Sequence, residues 1–212
     1  MQFRSNLKEL LAFEFQSLIG RNFFKTNPIL FKENNYLNLG CGDNLIDGFI
    51  NADFFYRRWK KNTPNKQWML DLRYNLNCED ETFDGIYTEH TLEHLTYLTV
   101  DNLLKELHRT LKKDRIIRIS VPDCNKFIKF YNGEINKNDF DNFSGSKCLL
   151  IHELSQKHGH MSIWDFKEMK NALEKAGFID VKEMRYQQTQ DKMLNQDIES
   201  REYCSVYIEA KK

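Results

Sequence analysis

Apolar positions along the first stretch of chain recur at helical spacing. Phe3, Leu7, Leu10, Leu11, Phe15 and Leu18 form the repeat and Gly20 offers a stop, which predicts an N-terminal helical appendage within residues 1–31. The pattern then shifts to short apolar runs with polar or glycine exits, at 36–39, 48–53, 67–72 and 83–88, and these read as strands. Leu103, Leu104, Leu107 and Leu111 predict a helix over about 101–112. Residues 115–121 form a β-branched run that ends at Pro122, which cannot continue a ladder. Residues 122–160 are polar and aromatic with no clear period, and a loop of that length inside a domain reads as a lid or binding element. Ser162 is the expected N-cap of a helix that carries Phe166, Met169 and Leu173 and stops at Gly177. Two last strands are expected near 181–186 and 203–209, with an exposed, Gln-rich loop between them. Alternating strands and helices predict a parallel sheet covered on both faces, and no repeat or linker divides residues 1–212.

Composition narrows the class. The 212 residues suit one domain, which at this length buries roughly 70 % of its unfolded surface without disulfides or a structural metal. Lys plus Arg number 31 and Asp plus Glu number 31, so net charge makes no case for a nucleic-acid partner. The cysteines at 41, 78, 124, 148 and 204 never form a C-x-x-C, which argues against a disulfide framework or a thiolate zinc site. Acidic residues interrupt the apolar part of the N-terminus, so it is not a signal peptide, and no stretch approaches the roughly 18 apolar residues of a membrane span. The expected compartment is the cytoplasm.

The chemistry concentrates at strand ends. Leu39-Gly40-Cys41-Gly42-Asp43-Asn44 leaves the first strand, where glycines permit a tight turn and close approach of a ligand. Asp53 ends the second strand, where a carboxylate can accept both hydroxyls of a ribose, and Asp71 ends the third, where a carboxylate and the following amide can address an adenine edge. Three such groups on successive strand ends fit a nucleoside lying across the sheet edge. A dinucleotide fingerprint fails because its third glycine position is Leu45 and Asp53 comes too early. No G-x-x-x-x-G-K-[ST] occurs, so the site suits a nucleoside without phosphates.

Over roughly residues 35–180 the chain resembles the class I S-adenosylmethionine-dependent methyltransferases, and within them the small predicted enzymes of surface-polysaccharide gene clusters. The resemblance rests on LNLGCGDNLIDGFINAD, LDLRYNLNCEDETFDGIYTEHTLEHL, the leucine-rich helix before RIIRISVPD, and HGHMSIWDFKEMKNALEKAGF. It implies a Rossmann-like α/β fold, a mostly parallel seven-stranded sheet with helices on both faces and an insertion at 122–160 after the fifth strand. It also implies S-adenosylmethionine as cofactor. Leu39, Gly40, Cys41 and Gly42 would form the cofactor loop, Asp53 would hold the ribose, and Asp71 with the Leu72 amide would hold the adenine. Thr88, Glu89 and His90 would border the methionine part. Asn38 stands where an acid is usual in such loops, and Asn44 where a third glycine is usual.

The acceptor implied by the resemblance is a small polar molecule, a sugar or sugar nucleotide. A hydroxyl acceptor needs a base near neutral pH, and His90, His152, His158 and His160 are the candidates, with His160, His158 and His90 the preferred three. Phe127, Phe130, Tyr131, Phe140, Phe143 and Trp164 can stack on a sugar ring or form the insertion's own core. His90-Thr91-Leu92-Glu93-His94 also reads as H-x-x-E-H, the inverted zinc-peptidase pattern, in which a helix would present His90 and His94 to a metal. It is the weaker reading, because a five-residue pattern matches easily, and no metal is expected. A cofactor-binding module without activity is the other alternative. The aromatic first helix could dock a partner, including a second copy of the chain.

Overall fold

The computed structural model describes residues 2–23, 27–54, 67–136, 140 and 143–212. Strands β1 (Tyr36–Leu39), β2 (Phe49–Asp53), β3 (Gln67–Met69), β4 (Gly85–Glu89), β5 (Ile116–Pro122), β6 (Ile179–Met184) and β7 (Ser205–Lys211) make one seven-stranded sheet. Its order is β3-β2-β1-β4-β5-β7-β6, so chain order reverses between β1 and β4. Pairings from β3 to β5 are parallel, whereas β7 is antiparallel to both β5 and β6. The sheet is therefore mixed, because β7 returns through residues 185–204 without the crossover helix that a parallel neighbour needs.

The two faces of the sheet differ. Leu37, Leu39, Ile50, Ala52, Ile86, Ile117, Ile119, Val121, Val206, Ile208 and Ala210 share one face and one core. Helices α2 (Tyr97–Thr110) and α5 (Phe166–Ala176) cover it with Val100, Leu103, Leu104, Leu107, Met169 and Leu173. Each such side chain contributes about 1.5–3 kcal/mol by leaving water. The N-cap of α5 is Asp165, whose carboxylate accepts from Glu168 N at 2.7 Å, and not Ser162. Ser162 Oγ instead accepts from Trp164 Nε1 at 2.7 Å.

The other face carries Asn38, Asn51, Tyr87, Glu89, Arg118, Ser120, Tyr207 and Glu209, all buried. Among the described residues it is covered by segment 185–204, which holds two short 3-10 turns, rather than by α-helices. Arg118 donates to Asp197 at 2.5 and 2.8 Å, to Glu209 at 3.0 Å and to the Gln188 carbonyl at 2.8 Å. Leu194 packs with Tyr36, Phe49 and Tyr87. The stretch expected to be an exposed loop is thus the cover of a polar sheet face. Its polar residues are the partners that buried charges require.

The insertion folds as α3 (Cys124–Asn132) and α4 (Lys147–His152), with a π turn continuing over Glu153–Lys157. Phe127, Phe140, Leu150, Leu154 and Cys204 form its core, and Phe130 stacks on Phe140 at 4.5 Å. These rings pack on one another, and Trp164 belongs to the main core. Helix α1 (Gln2–Phe23) runs through Gly20. Its apolar Leu11, Phe15 and Leu18 face outward, while Ser17 is fully buried against the domain. No helix among the described residues is long and apolar enough to cross a membrane.

Candidate functional site

A cavity of about 500 Å³ opens at the carboxyl ends of β1 to β4, where the chain order reverses. Gly40, Gly42, Asp53, Leu70, Asp71, Leu72, His90 and Thr91 line it. Gly40 has φ +68°, and a Cβ there would lie 2.2 Å from Thr91 Oγ1, so only glycine lets the loop pass beneath β4's exit. The amides of Gly40 and Cys41 both donate to the Ala52 carbonyl, at 2.8 and 3.0 Å. Asp53 accepts from the Gly42 amide at 2.7 Å and from the Phe54 amide at 2.6 Å, tying the loop to β2. Asn38 donates to the Asn44 carbonyl and to Asn51 Oδ1, both at 2.8 Å. The amide at position 38 therefore braces the loop from below.

Helix α1 closes this cavity from outside with Leu10, Phe13 and Glu14. Ser17 donates to Asp71 at 2.5 Å, and Arg73 bridges Asp71, at 2.6 Å, to Glu14. Burial alone would raise the Asp71 pKa, but the hydrogen bonds from Arg73 and Ser17 outweigh it and hold the carboxyl below its ordinary value. Phe13 stacks on Phe54 at 4.3 Å, with the Arg73 guanidinium 4.7 Å from the Phe13 ring. The helix thus docks through a charged and aromatic seam, not through its leucine stripe.

Behind β4's exit lies a second cavity of about 460 Å³, lined by His90, Glu93, His94, Pro122, Phe127, His158, His160, Arg201 and Tyr203. His90 and His94 belong to the walls of both cavities. His90 sits at φ +48°, an uncommon conformation for a residue other than glycine. Its Nε2 lies 2.7 Å from Ser205 Oγ. Burial, helped by the Arg201 charge and the neighbouring imidazoles, pushes the His90 pKa down to about 3. Burial also lowers those of His94 and His160, so all three rings are neutral at pH 7. His160 Nδ1 is 2.7 Å from the Leu154 carbonyl; a carbonyl can only accept, so Nδ1 carries the proton and Nε2 the lone pair. Glu93 is 1 % exposed, neither carboxyl oxygen has a hydrogen-bond partner from another of the described residues, and burial pushes its pKa up to about 8.

Of the residues singled out in the sequence, Gly40, Gly42, Asp53, Asp71, Leu72 and His90 line the first cavity. Leu39, Cys41 and Glu89 do not. Leu39 is fully buried under the loop, and Cys41 Sγ is turned to Asp53 at 3.8 Å. Strand alternation sends Glu89 to the polar face, where it accepts from the Ile198 amide at 3.2 Å. His158 and His160 join His90 around the second cavity, whereas His152 faces a separate groove between α4 and Tyr203. The H-x-x-E-H segment is not an α-helix: Leu92–His94 is a single 3-10 turn, and His90 lies outside it with Nε2 on Ser205. Thr91, Phe13, Ser17 and Arg73 were not legible as site residues. The available signal was the spacing Leu10, Glu14, Ser17, Arg21, a second helical face that is mostly polar.

Comparisons place this geometry in context. The structure resembles that of an S-adenosylmethionine-dependent methyltransferase from Archaeoglobus fulgidus, with TM-score 0.53 at 17 % identity and 94 % of each chain covered. It also resembles one from Thermotoga maritima described as a possible histamine N-methyltransferase, with TM-score 0.55, 18 % identity, and 99 % of this chain and 96 % of that one covered. Phosphoethanolamine N-methyltransferase 2 of Haemonchus contortus, in complex with S-adenosyl-L-methionine, matches at TM-score 0.51 and 13 % identity, over 92 % of this chain and 51 % of that one. These likenesses speak for the fold. No curated protein matches by sequence. The model of the methyltransferase domain matches residues 4–183, and the chain belongs to that family.

Proposed function

We propose that the protein transfers a methyl group from S-adenosylmethionine to a hydroxyl of a small polar acceptor, a sugar or sugar nucleotide, the acceptor resting on sequence resemblance. The observation that carries the reading is the pair of cavities sharing His90 and His94 at the reversal of strand order. The donor set of the first cavity fits the cofactor: a loop with two glycines at positive φ, a carboxylate at the end of β2, and the apolar walls of Leu70, Leu72, Leu95 and Phe54. Bound there, S-adenosylmethionine supplies an electrophilic methyl group on a sulfonium. Gly40 and Gly42 would give backbone contact and Asp53 would accept from ribose hydroxyls. Asp71, already held by Ser17 and Arg73, would act toward the adenine chiefly by positioning the Leu72 backbone.

The second cavity would take the acceptor. His158 or His160, both in its wall, would accept the hydroxyl proton, and the neutral state that burial imposes on His160 keeps Nε2 open for that purpose. His90, whose pKa is about 3, would position rather than abstract. The exposed Leu11, Phe15 and Leu18 on α1 support the further reading of a homodimer through that helix.

Calorimetry with S-adenosylmethionine or its demethylated product should show binding to the wild type. Asp53→Ala should weaken it roughly 5- to 150-fold, the size of about 1–3 kcal/mol for a lost acceptor. Equal affinity would remove Asp53 from the site. Mass spectrometry of sugar nucleotides incubated with enzyme and cofactor reads the acceptor. Should binding occur and none gain a methyl mass, the sugar reading falls while the cofactor reading stands.

A further inference from the structure

We infer that Glu93, His94 and His160 form a binding site for one divalent first-row transition metal ion, set in the wall of the second cavity. The ligand atoms of these three residues lie within 4.8 Å of one another. Metal–ligand bonds of about 2.1 Å at tetrahedral angles put ligand atoms roughly 3.4 Å apart, so modest side-chain rotation closes the set. His94 is the most exposed member, with its side chain 42 % exposed.

The carboxyl group of Glu93 is the observation that demands an occupant. It is buried to 1 % exposure, and among the described residues no other residue donates a hydrogen bond to either oxygen. A buried polar group left unmatched costs free energy that native structures seldom leave uncompensated, and among the described residues no Lys or Arg makes a close contact with it. Arg201 shares the cavity wall with Glu93, but its guanidinium closes on Glu89, at 3.6 Å, and among the described residues forms no salt bridge with Glu93. The groups that do face Glu93 are imidazoles: His94 Nε2 stands 4.0 Å from Oε1 and His90 Nδ1 3.6 Å. Two neutral imidazoles, His94 and His160, beside one buried carboxyl group that gives up its proton to a bound metal ion are a good ligand set for zinc, iron, cobalt or nickel.

The surroundings prepare the ligands. The Leu154 carbonyl holds His160 in the tautomer whose Nε2 carries the lone pair, the arrangement that metal-binding histidines commonly have; with that lone pair on the metal, the acceptor's proton falls to His158 in the same wall. The Glu93 carbonyl accepts from the amides of Met161, at 2.7 Å, and Ser162, at 3.1 Å, which clamps the segment carrying His160 onto the turn carrying Glu93 and His94. His90, by contrast, directs Nε2 to Ser205 at 2.7 Å and stays outside the trio. The trio therefore differs from the H-x-x-E-H pair that the sequence suggests, because its third ligand comes from the end of the insertion. Three protein ligands leave at least one coordination position for water or an acceptor oxygen.

The test uses the full chain, stripped with a chelator, dialysed, and titrated with zinc chloride by calorimetry; cobalt(II) absorption in the visible reports the ligand geometry. One zinc per chain at micromolar affinity or tighter is expected. His160→Ala and His94→Ala should each weaken it by roughly 100-fold or more, and His108→Ala, on α2 remote from the trio, should leave it unchanged. Glu93→Gln should do the same as the ligand variants. Should that variant misfold by circular dichroism, the two histidine variants decide alone. Absence of zinc binding tighter than about 0.1 mM overturns the inference. So does binding lost in His90→Ala but kept in His160→Ala, which would return the site to the H-x-x-E-H pair. None of these readings needs methyl transfer, so failure of the acceptor reading and failure of the metal site are separable.

Discussion

Gly40→Ala is the sharpest probe of how the loop is built. The added Cβ would stand 2.2 Å from Thr91 Oγ1, 2.3 Å from its Cγ2 and 2.8 Å from its Cβ, with the backbone at φ +68°. The left-handed conformation costs a residue other than glycine about 1–2 kcal/mol. The overlap adds roughly 1–3 kcal/mol, because Thr91 is β-branched and has little rotamer freedom with which to yield. A loss of about 2–5 kcal/mol is expected in urea denaturation. The steric share is separable from the backbone share by a double-mutant cycle. Thr91→Gly deletes all three clashing atoms, so Gly40→Ala in that background should cost about 1–2 kcal/mol, and the coupling should be about 1–3 kcal/mol. Cofactor affinity should fall with Gly40→Ala and recover partly in the double variant. A cost for Gly40→Ala that is the same with and without Thr91 would refute the contact between loop and β4 exit.

Two further outcomes follow from buried polar networks. Arg118→Met leaves Asp197 and Glu209 buried without their cation, so chemical denaturation should show a loss of about 3–5 kcal/mol, and a loss below 1 kcal/mol would mean that the polar face does not need the pair. Ser17→Ala removes the buried donor to Asp71; it should cost about 1–3 kcal/mol, raise protease cleavage within α1, and weaken cofactor binding. Unchanged cleavage and affinity would detach α1 from the site.

The apolar half of the fold was legible because it obeys simple periods. Leu37, Leu39, Ile117, Ile119 and Val121 alternate, and Leu103, Leu104 and Leu107 recur at helical spacing, so their elements emerged within a few residues of those observed. The polar face was hidden for a physical reason. Arg118, Glu209 and Asp197 look like solvent-facing charges one at a time, and only the sheet register brings Arg118 beside Glu209. The insertion was illegible for a related reason: its helices are short, and its core draws on Phe127, Phe140, Leu154 and the distant Cys204. At the site, the glycines and strand-end aspartates carried their own signal, while Ser17 and Arg73 acquire meaning only once α1 lies across Asp71.

The direction of β7 explains why the second cavity exists at all. In an open sheet the functional edge is the one at the carboxyl ends of the parallel strands. A parallel seventh strand would bring its last residues to that edge. Because β7 is antiparallel, it brings its first: Ser205 pairs with Pro122 at the end of β5. Residues just before it, Arg201, Tyr203 and Cys204, therefore stand in the cavity wall with His90 and His94. Ser205 engages His90 through its hydroxyl, and its carbonyl accepts from Lys126 of the insertion at 2.7 Å. One strand start thus ties together the β4 exit, the insertion and the 185–204 cover. His90 is held at φ +48° where alternation alone would continue the strand, and that turn sends its ring toward the cavities while Glu89 goes to the polar face. His90, which lines both cavities, owes its position to the strand that departs from the parallel pattern.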